Sequence, residues 1–170
     1  SERNYDSYRI KPIEVEKVNE EGRKVKINYK LPEVKILPSN FFYGFKEARS
    51  WLWLKLARKP VDKAKLLLFL ADKKISETLL LNEKNKVNLD LMSVKDAVKI
   101  LKKSKEWSLK LKENEEKLLG AQLNDACLAY RQVFKSVSEN MFIDLKNGKN
   151  DHVKRNFAKL IVELDEWYEE

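Results

Sequence analysis

The 170-residue sequence predicts a mainly α fold, an antiparallel bundle of four to five helices preceded by an N-terminal arm that carries a β-hairpin. Three observations lead there. Three of the four prolines (Pro12, Pro32 and Pro38) fall in the first 38 residues, so the rest of the chain is nearly free of helix breakers. Beyond that point apolar residues recur at spacings of three and four, the helical period. Before it, "KPIEVEKVNEEGRKVKINYKL" (11–31) alternates with period two around Gly22. The expected organisation is an arm over 1–38 and a single bundle over 39–170, since this length with 43% hydrophobic residues supports one substantial core.

In the arm, Ile13 and Val15 alternate on one side of the Gly22 turn, and Val25, Ile27, Tyr29 and Leu31 on the other. The expected register pairs Val15 with Val25 and Ile13 with Ile27, with Gly22 in a left-handed conformation. An isolated hairpin is marginal in water, so this one must lie on the helices or pair with another chain.

The first helix is expected over about 40–58, capped by Ser39 or Asn40 and stopped by Pro60. Its segment, "NFFYGFKEARSWLWLKLARKP", carries six aromatic rings and five cations. At 100° per residue Phe41, Phe45, Ala48, Leu52 and Leu56 form one stripe, read as the core face. Tyr43 and Leu54 lie nearly opposite, with Trp51 and Trp53 on the flanks and Lys46, Arg49, Lys55 and Arg58 among them. One buried side cannot hide all of these rings. The helix is therefore expected to be sandwiched between bundle and arm, or to rest on a membrane surface.

A second helix over about 61–83 places Val61, Ala64, Leu67, Leu68, Ala71, Ile75 and Leu79 on one stripe, with Leu66, Leu70 and Leu81 on a second. "NEKNKVNLDLM" reads as a loop, and "SVKD" (93–96) as a capping box opening a third helix over about 93–118. That helix keeps a heptad rhythm through Ala97, Leu101, Ser104, Ser108, Leu111 and Leu118, with Ile100 and Trp107 alongside. A fourth over about 122–146 carries Leu123, Cys127, Tyr130, Phe134, Val137, Met141 and Leu145 before Asn147-Gly148. A fifth over about 151–168 carries Val153, Phe157, Leu160, Leu164 and Trp167. A break near Gly120 separates the third helix from the fourth. An unbroken rod over 93–146 would instead expose a stripe of rings and favour homo-oligomers.

The parts needed for most catalysis are missing. A single cysteine, Cys127, allows no internal disulfide and no cysteine-based zinc cluster, and Cys127 reads as a buried thiol in an apolar stripe. His152, the sole histidine, reads as an exposed first-turn residue, which leaves no Ser-His-Asp set or multi-histidine metal site. No glycine-rich phosphate loop occurs. Glu115 and Glu116, and Asp165, Glu166, Glu169 and Glu170, read as solvated helix ends rather than an acid pair or cation site. The expectation is a protein with no catalytic residues, no metal and no cofactor. "LLLFLA" (66–71) is far too short to span a bilayer. The start at Ser1 suggests that an upstream segment, such as a signal, an anchor or a tag, was removed.

Charge completes the reading. The formal net charge is +8, and residues 39–86 hold 11 basic and 5 acidic side chains, so most of the excess surrounds the aromatic helix. Such a zone attracts an anionic partner. The expected function is a non-catalytic interaction module that meets a protein partner or an anionic envelope or membrane surface through Tyr43, Lys46, Arg49, Trp51, Trp53, Leu54, Lys55 and Arg58. The alternative is a nucleic-acid-binding accessory protein that stacks bases on Trp51, Trp53 and Tyr43. Against it, 28 of the 35 cations are lysine, which lacks the planar fork of arginine.

Residues 31–81 also resemble an uncharacterised bacterial helical domain family, catalogued only as a domain of unknown function. The shared features are Leu37-Pro38-Ser39, Tyr43 and Lys46 entering the first helix, then Lys63-Ala64, Leu66, Leu68, Leu70-Ala71-Asp72 and Ser76-Glu77 in the second. Lys74 replaces a usual arginine, Phe69 and Lys73 stand at positions charged in the family, and the hairpin is outside the pattern. The resemblance implies a helical domain, no assigned catalytic residue, and an extracytoplasmic location, because the domain there often follows a secretion signal or a single membrane helix.

Overall fold

The structure, a computed structural model, describes residues 10–34, 43–83, 87–140 and 150–169. A two-stranded antiparallel hairpin, β1 (Ile13–Val18) and β2 (Lys24–Tyr29), precedes five helices: α1 (Tyr43–Leu56), α2 (Pro60–Glu83), α3 (Val87–Ser108), α4 (Glu113–Asn140) and α5 (Asn150–Glu169). The expected class is what is found, a helical bundle with a hairpin arm.

The hairpin register differs from the expected one by two residues. Val15 faces Ile27 and Ile13 faces Tyr29, with Lys17 opposite Val25. The turn decides this. Asn19 Oδ1 accepts the amides of Glu21 and Arg23, the Asn19 amide donates to the Arg23 carbonyl, and Gly22 sits at φ 74°. Closing the hairpin on the Asn19–Arg23 pair leaves a three-residue loop with glycine at its left-handed position. A slip of two residues keeps each side chain on its face. Val15 is therefore still buried, with Ile13, Ile27 and Tyr29 half-buried beside it against the helices.

Pro60 opens α2 as its first helical residue, where the missing amide proton costs nothing. The α2 stripe is buried as expected from Ala64 through Leu67, Leu68, Ala71 and Ile75. Fully buried Ala64, Ala71 and Ala97 let α2 and α3 run close together, and Ser104 Oγ donates to the Ala64 carbonyl at 2.6 Å across that contact. α4 contributes Leu123, Cys127, Tyr130, Phe134 and Val137, and α5 contributes Val153, Phe157, Leu160 and Leu164. Phe134 lies between two rings, with centroids 6.5 Å from Tyr130 and 6.0 Å from Phe157. Met141, Leu145 and Asn147-Gly148 lie outside the described residues.

Three boundaries correct the sequence expectations. α3 begins at Val87, so residues 87–92 are helical rather than loop, and Ser93–Asp96 lie inside the helix instead of capping it. The break before α4 spans residues 109–112, eight positions ahead of Gly120, which sits within α4 with open space around it. Ser108 Oγ donates to the Lys105 carbonyl at 2.6 Å, and Leu111 N reaches back only to the Ser108 carbonyl, so the last turn tightens and ends. Glu113, Glu115 and Glu116 then fill the first turn of α4, where carboxylates complement the helix dipole. The break resets the helical phase: Leu118 is exposed and Leu119 is buried instead. No continuous 93–146 rod exists to drive the oligomer foreseen for it.

The arm is fastened by a buried polar cluster. Asp72 on α2 accepts hydrogen bonds from Tyr130 Oη at 2.5 Å and from Tyr29 Oη at 2.9 and 3.0 Å. Nearby, Ser76 Oγ donates to the Pro32 carbonyl at 2.8 Å, and Lys17 Nζ meets Asp125 of α4 at 2.9 Å. Burial pushes the Asp72 carboxyl up from 3.8 to about 6, against the opposing pull of the two phenols. Burial and the adjacent Asp72 charge hold both phenols well above the ordinary tyrosine range, so each remains a donor.

Because Asp72 protonates more easily folded than unfolded, the folded chain binds more protons between about pH 4 and 6, and this contribution to stability declines as pH rises through that window. The loss amounts to about 3 kcal/mol. Asp72→Asn keeps an acceptor for both phenols and removes the charge. Urea unfolding at pH 4, 5, 6 and 7 is expected to show the variant gaining on the parent as pH rises; curves that stay parallel would show that Asp72 does not titrate between the two states.

Candidate functional site

α1 is held to the bundle by charge. Lys46 and Glu47 face α2, where Lys46 Nζ contacts Glu77 Oε1 at 2.5 Å and Lys74 Nζ contacts Glu47 Oε1 at 3.0 Å, with Glu77 Oε2 3.8 Å from Lys74. The Glu77 side chain is 1% exposed and that of Lys46 9%. A carboxylate this deeply buried requires a cation beside it, and Lys46 supplies one. Glu77 continues the second apolar strip of α2, the one holding Leu66 and Leu70, so the strip turns polar where α1 crosses it.

This pairing reverses the face expected to be core. Phe45 is 72% exposed, Leu52 57% and Leu56 61%, and Ala48 is exposed with them, while Phe41 lies outside the described residues. The helical wheel shows an apolar stripe but not its direction; the demand of Glu77 for a cation turns Lys46, Glu47, Ser50 and Leu54 inward instead. Among the described residues the hairpin packs on α4, so it does not supply the second side of the expected sandwich.

The eight residues singled out from sequence divide. Lys46, Trp51 and Leu54 line a groove of about 240 Å³ between α1, α2 and α3. Trp53 is 59% exposed, and Arg49, Lys55 and Arg58 are exposed beside or just beyond the outer stripe. Tyr43 begins α1, and its side chain is not among those described. The groove has an apolar floor of Leu54, Leu67, Leu70 and Ile100 walled by Trp51, and it brings in Lys73, Lys99 and Lys103, which sequence reasoning did not single out. Phe45, Leu52 and Leu56 were likewise missed as surface. The usable signal was Glu77, a carboxylate placed on an apolar strip.

Elsewhere, Cys127 is buried, its Sγ donates to the Leu164 carbonyl at 3.4 Å, and burial pushes the thiol up to about 11, which keeps it protonated near neutral pH. His152 is exposed in the first turn of α5, 3.2 Å from the Asn156 amide. Among the described residues no helix is long and apolar enough to cross a membrane.

The attachment of α1 can be tested separately from the core. Glu77→Gln removes the buried carboxylate and is expected to raise amide hydrogen exchange across residues 43–56 by more than about tenfold, with α4 and α5 protection unchanged. Unchanged exchange in α1 would mean that Leu54 and its neighbours hold the helix without the ion pairs.

A family model described as a domain of unknown function (DUF5667) matches residues 35–144, which extends the 31–81 resemblance through α3 and α4 and leaves out the hairpin and α5. No curated protein and no solved structure matches the chain.

Proposed function

The chain belongs to the DUF5667 family, and from that premise we propose that it is a non-catalytic docking module of the bacterial cell envelope, whose first helix rests on an anionic phospholipid surface. The observation carrying this reading is the outer face of α1, where Phe45, Leu52, Trp53 and Leu56 are all more than half exposed on one short helix. An apolar face of that kind is unusual on a soluble domain and marks a contact surface. Its charge favours an anionic partner, since Glu47, the one acid in α1, is turned inward to Lys74, while Arg49, Lys55 and Arg58 stay exposed.

A helix with rings and leucines on one side and cations beside them lies in the plane of a bilayer interface, with tryptophan at headgroup depth. Each apolar side chain withdrawn from water contributes about 1.5–3 kcal/mol, and each cation about 1 kcal/mol toward an anionic leaflet, before the losses of association. The result is reversible, salt-sensitive binding. The envelope location is supported by the family resemblance, in which the domain often follows a secretion signal or membrane helix.

Co-sedimentation with phosphatidylglycerol vesicles tests the reading. Binding is expected at low salt, weaker on phosphatidylcholine and at high salt, with a blue shift of tryptophan emission. Leu52→Ser with Leu56→Ser, both on the exposed face, is expected to abolish it without changing thermal stability. A folded parent that ignores phosphatidylglycerol vesicles at low salt would assign the face to a protein partner and overturn the lipid reading.

A further inference from the structure

The inner side of α1 borders a second feature, distinct from the outer face. We propose that the groove between α1, α2 and α3 is a binding site for a single-chain anionic amphiphile, with the acyl chain on the apolar floor and the acidic head at the lysine rim. This goes beyond the surface docking above and does not depend on it.

Size, charge and backbone chemistry lead to that ligand class. The groove holds about 240 Å³, just under the roughly 300–1,000 Å³ of sites that enclose drug-sized ligands. A narrow chain fits such a space better than a folded element does. Its floor, Leu54, Leu67, Leu70 and Ile100, is hydrocarbon. All three walls are α-helices, whose backbone amides and carbonyls are paired internally, so the groove offers no strand edge on which an extended peptide could be held. An acyl chain needs no such partner.

The lining includes five lysines and three carboxylates. Two of those carboxylates, Glu47 and Glu77, are engaged by Lys74 and Lys46. Lys99 and Lys103 project from α3 at exposed positions, and Lys73 stands on α2 with its Nζ 5.2 Å from the centre of the Phe69 ring. The rim is therefore positive, with Asp96 as the remaining acid, and a carboxylate or phosphate head complements it.

The probe is dodecanoate below its micelle concentration, titrated by calorimetry, with the part of the tryptophan emission change that is lost in Trp51→Phe as a second readout. Saturable one-to-one binding is expected, weaker by at least about tenfold for dodecanol and for Lys99→Glu with Lys103→Glu. Leu70→Gln, which puts a polar group on the floor, is expected to weaken dodecanoate similarly, with circular dichroism confirming that both variants are folded. Leu52→Ser with Leu56→Ser is expected to leave dodecanoate affinity unchanged while removing vesicle binding, which separates this site from the outer face. Uptake that does not saturate, equal affinity for dodecanol, or binding indifferent to charge reversal at Lys99 and Lys103 in a folded variant would each overturn the proposal.

Discussion

Two carboxylates buried along α2, Asp72 and Glu77, must each find donors, and meeting that demand attaches both of the elements that precede the bundle. Asp72 faces the hairpin and α4, and it is satisfied by Tyr29 and Tyr130. Glu77, little more than one helical turn further along, faces α1 and is satisfied by Lys46. An unpaired carboxylate at either place would cost several kcal/mol, more than the few apolar contacts of α1 could offset. The polar positions of α2 thus determine where its neighbours sit, and its apolar positions hold them once placed.

The consequence for function lies in how α1 is oriented. A helix recruited by its apolar stripe would have buried Phe45, Leu52 and Leu56 and left its cations in water. Recruitment through Lys46 and Glu47 does the opposite: it spends the one acid of α1 on an internal contact and leaves the rings outside. Both the exposed ring face and the lysine-rimmed groove follow from that single orientation. They are the two sides of one helix, so disturbing the Glu77 contact affects both while a substitution on either face affects one.

What was legible in the sequence follows the same division. The stripes of α2, α4 and α5 were readable because each buries apolar side chains against apolar neighbours, and there periodicity alone gives the inward direction. The left-handed turn at Gly22 was readable from its residue type, whereas the register depended on Asn19 Oδ1 capturing two amides, a side-chain choice that strand alternation does not encode. The break between α3 and α4 contains neither glycine nor proline. Its signals were Ser108 and the acidic run from Glu113, both weaker than the glycine at position 120, which α4 simply absorbs. For α1, the wheel gave a stripe with the wrong direction, Phe45, Leu52 and Leu56 being exposed rather than core, because the deciding partner, Glu77, is 31 residues from Lys46.

Residues 35–144 take in α1 through α4 and leave out the two elements packed on either side of α4, the hairpin and α5. Within that span alone, Phe134 would lose Phe157 from one side, and Tyr130 and Asp72 would lose the phenol of Tyr29 from the other. A ring of that size left in water forfeits about 1.5–3 kcal/mol, and a buried carboxylate deprived of a donor loses a comparable amount. For this chain the cooperative unit is therefore wider than the matched segment, with α4 as its axis and α2 as the helix that orders the rest. The matched segment contributes α1 and the groove; of the flanking elements, the hairpin is tied to α2 through Tyr29 and Asp72, and α5 closes the core against α3 and α4.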